Sequence, residues 1–143
     1  MVASKREMVS VRMPAETVRA LETAARRSGS SRSALIVNLV DEGLRRGRHP
    51  RITFKDGPSG RRAAIVGGPD VWELMGFVHD SGLRGDEALM GAAEWFSLPV
   101  EDVSAAIAYA TEHADEIGEL VRLNTEVASE AQASWEAPRD LIG

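Results

Sequence analysis

From Met8 to Met13 apolar and polar residues alternate. Val9, Val11 and Met13 fall on one side of a predicted strand, and Arg6, Met8, Ser10 and Arg12 on the other, until Pro14 ends the alternation. The period then lengthens to three and four. Val18, Leu21 and Ala24/Ala25 line one face of a helix predicted over Ala15 to Arg27, with Arg26 and Arg27 at its negative end. Ser28-Gly29 stops this helix, and Ser30-Ser31 caps a second, predicted over Arg32 to about Arg46. Its apolar stripe is Leu35, Ile36, Leu39, Val40 and Leu44, and Gly47 and Pro50 end it.

Beyond Arg51 the pattern changes. Ile52-Thr-Phe54 and Ala63-Ala-Ile-Val66 flank a turn-rich Lys55–Gly60 loop and predict a small hairpin. Pro69-Asp70 opens a helix with Val71, Trp72, Leu74, Met75 and Val78 on its apolar face, broken at Ser81–Gly85. Asp86 is expected to cap the next, which carries Leu89, Met90, Ala93, Trp95 and Phe96. Pro99 starts a third, to about Ala114, and Ile117, Leu120, Val121 and Leu123 extend its pattern. Trp72, Trp95, Phe96 and Tyr109 are expected in the core. After Asn124 the sequence turns rich in Ala, Ser and Glu, and Trp135 is the large aromatic there.

One strand and two short helices over about 45 residues are too little to bury a stable core, and the strand has no partner in its own chain. A dimer answers both needs. Two copies pairing antiparallel would set Val9, Val11 and Met13 over four helices and duplicate Met8, Ser10 and Arg12 on the outer face.

Charge sharpens the division. Of 17 basic and 22 acidic residues in 143, residues 1–50 hold 10 basic and 5 acidic, and the remainder 7 basic and 17 acidic. The first part favours polyanions. The second would be repelled by a phosphate backbone and suits a basic protein. No apolar run is long enough to span a membrane, and the polar, charged N-terminus does not read as a signal peptide, so the expected location is cytoplasmic.

Val9-Ser-Val-Arg-Met-Pro14, a helix of about thirteen residues and Gly29-Ser-Ser-Arg-Ser33 together resemble the ribbon-helix-helix family of bacterial repressors over about residues 6–46. That resemblance implies an intertwined dimer whose two-stranded ribbon enters the DNA major groove. Met8, Ser10 and Arg12 would then read bases. Ser31, Arg32 and Ser33 would hold a phosphate at the start of the second helix.

Asp56-Gly-Pro-Ser-Gly-Arg-Arg62, Asp70-Val-Trp72 and Leu98-Pro-Val-Glu-Asp-Val103 resemble the domain of unknown function 433 found in VapB-like antitoxins. This second resemblance implies a helix-turn-helix-like domain and a cognate PIN-like toxin. Arg61 and Arg62 are read as partners for carboxylates, as toxin contacts or as accessory DNA contacts. Trp135 is a candidate toxin contact.

No catalytic site is expected. His79-Asp80-Ser81 adjoin at a helix end and do not make a triad, and Glu112, Asp115 and Glu116 read as a solvated helix face. The three histidines are scattered, cysteine is absent, and neither metal nor cofactor is expected.

The expected architecture is mainly α: a ribbon-helix-helix dimerisation module (residues 1–48), a hairpin plus helical domain (49–124) and an acidic tail (125–143). The expected function is that of an antitoxin, binding operator DNA as a homodimer or higher oligomer and neutralising a toxin. The alternative is a stand-alone regulator with a C-terminal oligomerisation or sensing domain.

Overall fold

The computed structural model describes residues 5–57 and 60–142, with the side chains of residues 129, 132 and 134–142 excepted. The chain divides into two compact units, Met1–Leu44 and Arg45–Gly143.

The first unit holds helix α1 (Ala15–Ser28) and most of helix α2 (Arg32–Arg48). α1 ends where Gly29 adopts φ 68°, a left-handed conformation that costs glycine little and lets its N–H reach the carbonyls of Ala25 and Arg26. The Ser31 hydroxyl accepts the Ala34 N–H at 3.0 Å and so caps α2.

Met8–Met13 is not a strand here. A strand requires a hydrogen-bonded neighbour, and a single chain offers none. Val9 and Val11 are 78% and 70% exposed, α1 buries only Ala25, and α2 buries nothing. By itself this unit has almost no core.

The second unit does have one. Strands β1 (Ile52–Gly57) and β2 (Gly60–Ile65) pair antiparallel, with Ile52 opposite Ile65 and Gly57 opposite Gly60. The strands run three residues further into the predicted loop on each side, because Lys55 faces Arg62 and Asp56 faces Arg61 in continuous register. Helices α3 (Val71–Ser81), α4 (Gly85–Phe96), α5 (Val100–Glu112) and α6 (Ala114–Ile142) follow. α3 packs on β2, α4, α5 and α6, and Ile52, Ile65, Val71, Leu74, Val103 and Tyr109 are fully buried.

Two expectations are corrected here. Asp86 lies inside the first turn of α4, whose N-cap is Arg84 without a side-chain cap bond, because Gly85 at φ 58° already starts the helix. Met90 and Trp95 are exposed, since the inward stripe of α4 is Ala88, Leu89, Ala92, Ala93 and Phe96. Trp95 instead stacks on Phe77, with centroids 5.3 Å apart and planes 18° apart. α6 runs through residues 124 and 125 as one helix. No helix among the described residues is long and apolar enough to cross a membrane.

Candidate nucleic-acid interface and two polar centres

Met8, Ser10 and Arg12 are all exposed, on alternate positions of the segment leading to Pro14. Pro14 sets φ −55° and ψ 143° at the N-cap of α1, and its carbonyl accepts the N–H groups of Thr17 and Val18, which anchors the segment's end to the helix. At the start of α2, Ser31, Arg32 and Ser33 are exposed as well. The Ser31 hydroxyl oxygen accepts the cap bond, which leaves its O–H able to donate. Arg32 Nη1 donates to Glu22 Oε1 at 3.1 Å in a half-exposed pair between α2 and α1. Such pairs contribute about 0–1 kcal/mol, so a phosphate can take Arg32 from Glu22 at little cost.

Arg61 and Arg62 separate. Arg61 stays exposed and reaches Asp56 Oδ1 at 3.2 Å across the hairpin. Arg62 turns inward, its Nε 2.5 Å from Oδ2 of Asp70, a carboxylate only 4% exposed. Trp72 Nε1 donates to the same oxygen at 3.0 Å, and Lys55 Nζ stands 3.9 Å from Oδ1. A buried carboxylate needs such partners because water no longer solvates it. Gly57 makes room for the arrangement, since a Cβ there would fall 1.5 Å from Arg62 Nη1. The Asp56–Arg62 and Asp70–Trp72 strings thus meet around one acid. Among the three readings of the arginine pair, partnership with a carboxylate describes Arg62.

A second centre lies where α2 ends. Arg45 and Arg48 end α2, and His49 follows them; residues three and four apart on a helix share a face. Arg45 Nη1 donates to the Tyr109 hydroxyl at 2.7 Å and to Glu116 Oε2 at 3.1 Å, and Tyr109 donates in turn to Glu116 Oε2 at 3.0 Å. Arg48 Nη2 donates to Glu112 Oε1 at 2.6 Å, and His49 Nε2 lies 2.6 Å from Glu112 Oε2. Glu112 and Glu116 thus have cationic partners on a face that stays partly solvated, with Arg48 itself exposed.

His113 completes the group. It caps α5 with φ −122° and ψ 44°, and its ring lies 4.4 Å from that of Tyr109 and 6.4 Å from that of His49. Two of the three histidines are thereby close, and only His79 stands apart. Burial pushes the Tyr109 phenol well above its ordinary pKa of 10.0. Burial and the nearby Arg45 cation hold the His113 ring below its usual 6.5, so it is neutral at pH 7. The hydrogen bond from His49, with Arg48 beside it, holds Glu112 below the usual carboxylate range.

At the end of α3, Ser81 Oγ donates to the Val78 carbonyl and accepts the Leu83 N–H, while His79 and Asp80 are exposed. The three serve as a helix terminus. The side chain of Trp135 lies outside the described residues.

Signals for the second centre existed in part: Arg45, Arg48 and His49 share one spacing, and Tyr109, Glu112 and Glu116 share another. What no single sequence states is that these two stripes, about 64 residues apart, face each other.

Residues 7–46 match the family model of the ribbon-helix-helix protein, copG family. The match covers 40 of 143 residues and ends before the Asp56–Arg62 string. No curated protein and no solved structure matches the chain. The matched segment is thus similar to a family of DNA-binding, dimer-forming regulators.

Proposed function

We propose that the protein is a transcriptional regulator that binds operator DNA as a dimer through its N-terminal module. One observation carries this reading: in a segment similar to ribbon-helix-helix proteins, alternate valines are 78% and 70% exposed ahead of two helices with a single buried side chain between them. A second copy supplies what is missing. Pairing of the two Met8–Met13 segments makes a ribbon whose apolar face covers the four helices and whose outer face presents Met8, Ser10 and Arg12. A two-stranded ribbon fits the major groove, where Arg12 pairs bidentately with a guanine and Ser10 bonds an adjacent base edge. Ser31, Arg32 and Ser33, with the free N–H groups opening α2, hold a backbone phosphate.

Within that class the role we favour is that of an antitoxin repressing its own operon and neutralising a PIN-like toxin. The charge division supports this finer reading, the acidic second part suiting a basic protein. The candidate toxin contacts are Arg61, exposed in its pair with Asp56, Arg62 at the Asp70 centre, and Trp135.

Fluorescence anisotropy with the DNA upstream of the gene, over a salt series, tests the proposal. Wild type should bind site-specifically with log affinity falling linearly in log salt. Arg12→Ala should lose about 1–3 kcal/mol, roughly 5- to 150-fold, on the specific site and little on random DNA. Absence of site-specific binding by wild type would overturn the reading. A co-purifying small basic nuclease encoded beside the gene would separate the antitoxin from a stand-alone regulator.

A further inference from the structure

We propose that His49, Glu112 and His113 form a binding site for a divalent transition-metal ion of the zinc type, one ion per chain. Each offers one ligand atom, and the three atoms lie within 4.8 Å of one another. Two imidazoles and one carboxylate suit zinc and its neighbours in the first transition row, and suit magnesium or calcium poorly.

The backbone gathers the donors. Consecutive residues of a continuous helix diverge by about 100° and cannot both face one point. The helical path breaks at His113, between α5 and α6, and this lets Glu112 and His113 converge on His49. The donors are also oriented from behind. Arg48 takes Oε1 of Glu112, leaving Oε2 towards His49 and His113 at 2.6 and 4.0 Å. The Tyr109 ring packs against both imidazoles, edge-on to His49 at 5.3 Å and tilted to His113 at 4.4 Å. Supporting contacts of this kind fix ring orientation in metal sites.

Tetrahedral zinc sets donor atoms about 3.3 Å apart, given bonds of about 2.0–2.1 Å. Uptake therefore opens the short His49–Glu112 contact and draws His113 in. Glu112 is exposed, so the fourth position is left to water. Arg45 and Arg48 oppose a dication nearby. Glu116 matches Arg45 in place, while Arg48 would share Glu112 with the ion, so the penalty is limited and not removed.

With only three histidines in the chain, side-chain NMR of the full-length, tag-free protein reads the site directly. Titration with Zn2+ should shift the ring resonances of His49 and His113, saturate at one equivalent and leave His79 unmoved. Co2+ should give a visible absorption band that His79→Gln keeps and that both His113→Gln and His49→Gln lose. Circular dichroism checks that each variant is folded. Absence of shifts in wild type up to excess Zn2+, equal shifts at all three rings, or a band retained in a folded His49→Gln or His113→Gln protein would each overturn the site.

Discussion

Arg45, the first residue of the second unit, donates to the hydroxyl of Tyr109 on α5 at 2.7 Å within that unit. The phenol is fully buried, and Glu116 accepts its hydrogen bond. Since Tyr109 is the only tyrosine, the protein carries its own reporter of this contact.

Burial raises the Tyr109 pKa above the 10.0 of an exposed phenol, and the sign of the linkage follows. A raised pKa gives stability that is whole below pH 10 and lost as pH climbs towards the folded value. Phenolate absorbance should therefore appear only together with unfolding, as a single step well above pH 10. A smooth titration near pH 10 with the helices intact would mean that Tyr109 is solvated.

Arg62 and Asp70 form the other buried contact. Removing one partner leaves a charge without compensation, so Arg62→Ala should cost about 3–5 kcal/mol in urea unfolding, towards the lower figure because Lys55 and Trp72 remain near the acid. Arg61→Ala, at the exposed pair with Asp56, should change stability by less than about 1 kcal/mol. Similar losses in the two variants would contradict the assignment of Arg62 as the buried partner.

Ser97 ends α4 with φ 55°, the single non-glycine residue with positive φ among the described residues. A left-handed conformation costs about 1–2 kcal/mol outside glycine, and glycine gives back about 0.5–1 kcal/mol in unfolded-state entropy. Ser97→Gly should therefore stabilise the protein by about 0.5–1 kcal/mol. An unchanged or lowered urea midpoint would mean that the serine contributes more than its geometry accounts for.

Local signals in the sequence located the helices well. α1 and α2 start at Ala15 and Arg32, where Pro14 and Ser31 place them, and extend one and two residues past the predicted ends. What local pattern misjudged was decided by tertiary partners. Lys55 and Asp56 look like loop residues until Arg62 and Arg61 are seen opposite them. Trp95 is as apolar as Phe96, yet it lies off the stripe that α4 turns inward. His49 and His113 read as scattered because 64 positions separate them, and only the packing of the second unit brings them together. The Met8–Met13 alternation is the converse case: a clear strand signal that one chain cannot satisfy.

That unsatisfied strand is the centre of the account, and the mass of the protein in solution tests it most directly. Sedimentation equilibrium at micromolar concentration should give two chains for the wild type. Val11→Lys, which sets a charge on the apolar face of the ribbon, should give one chain with the second unit still folded. A wild-type protein that sediments as a single chain would contradict the paired ribbon, and with it the DNA-reading surface built on Met8, Ser10 and Arg12.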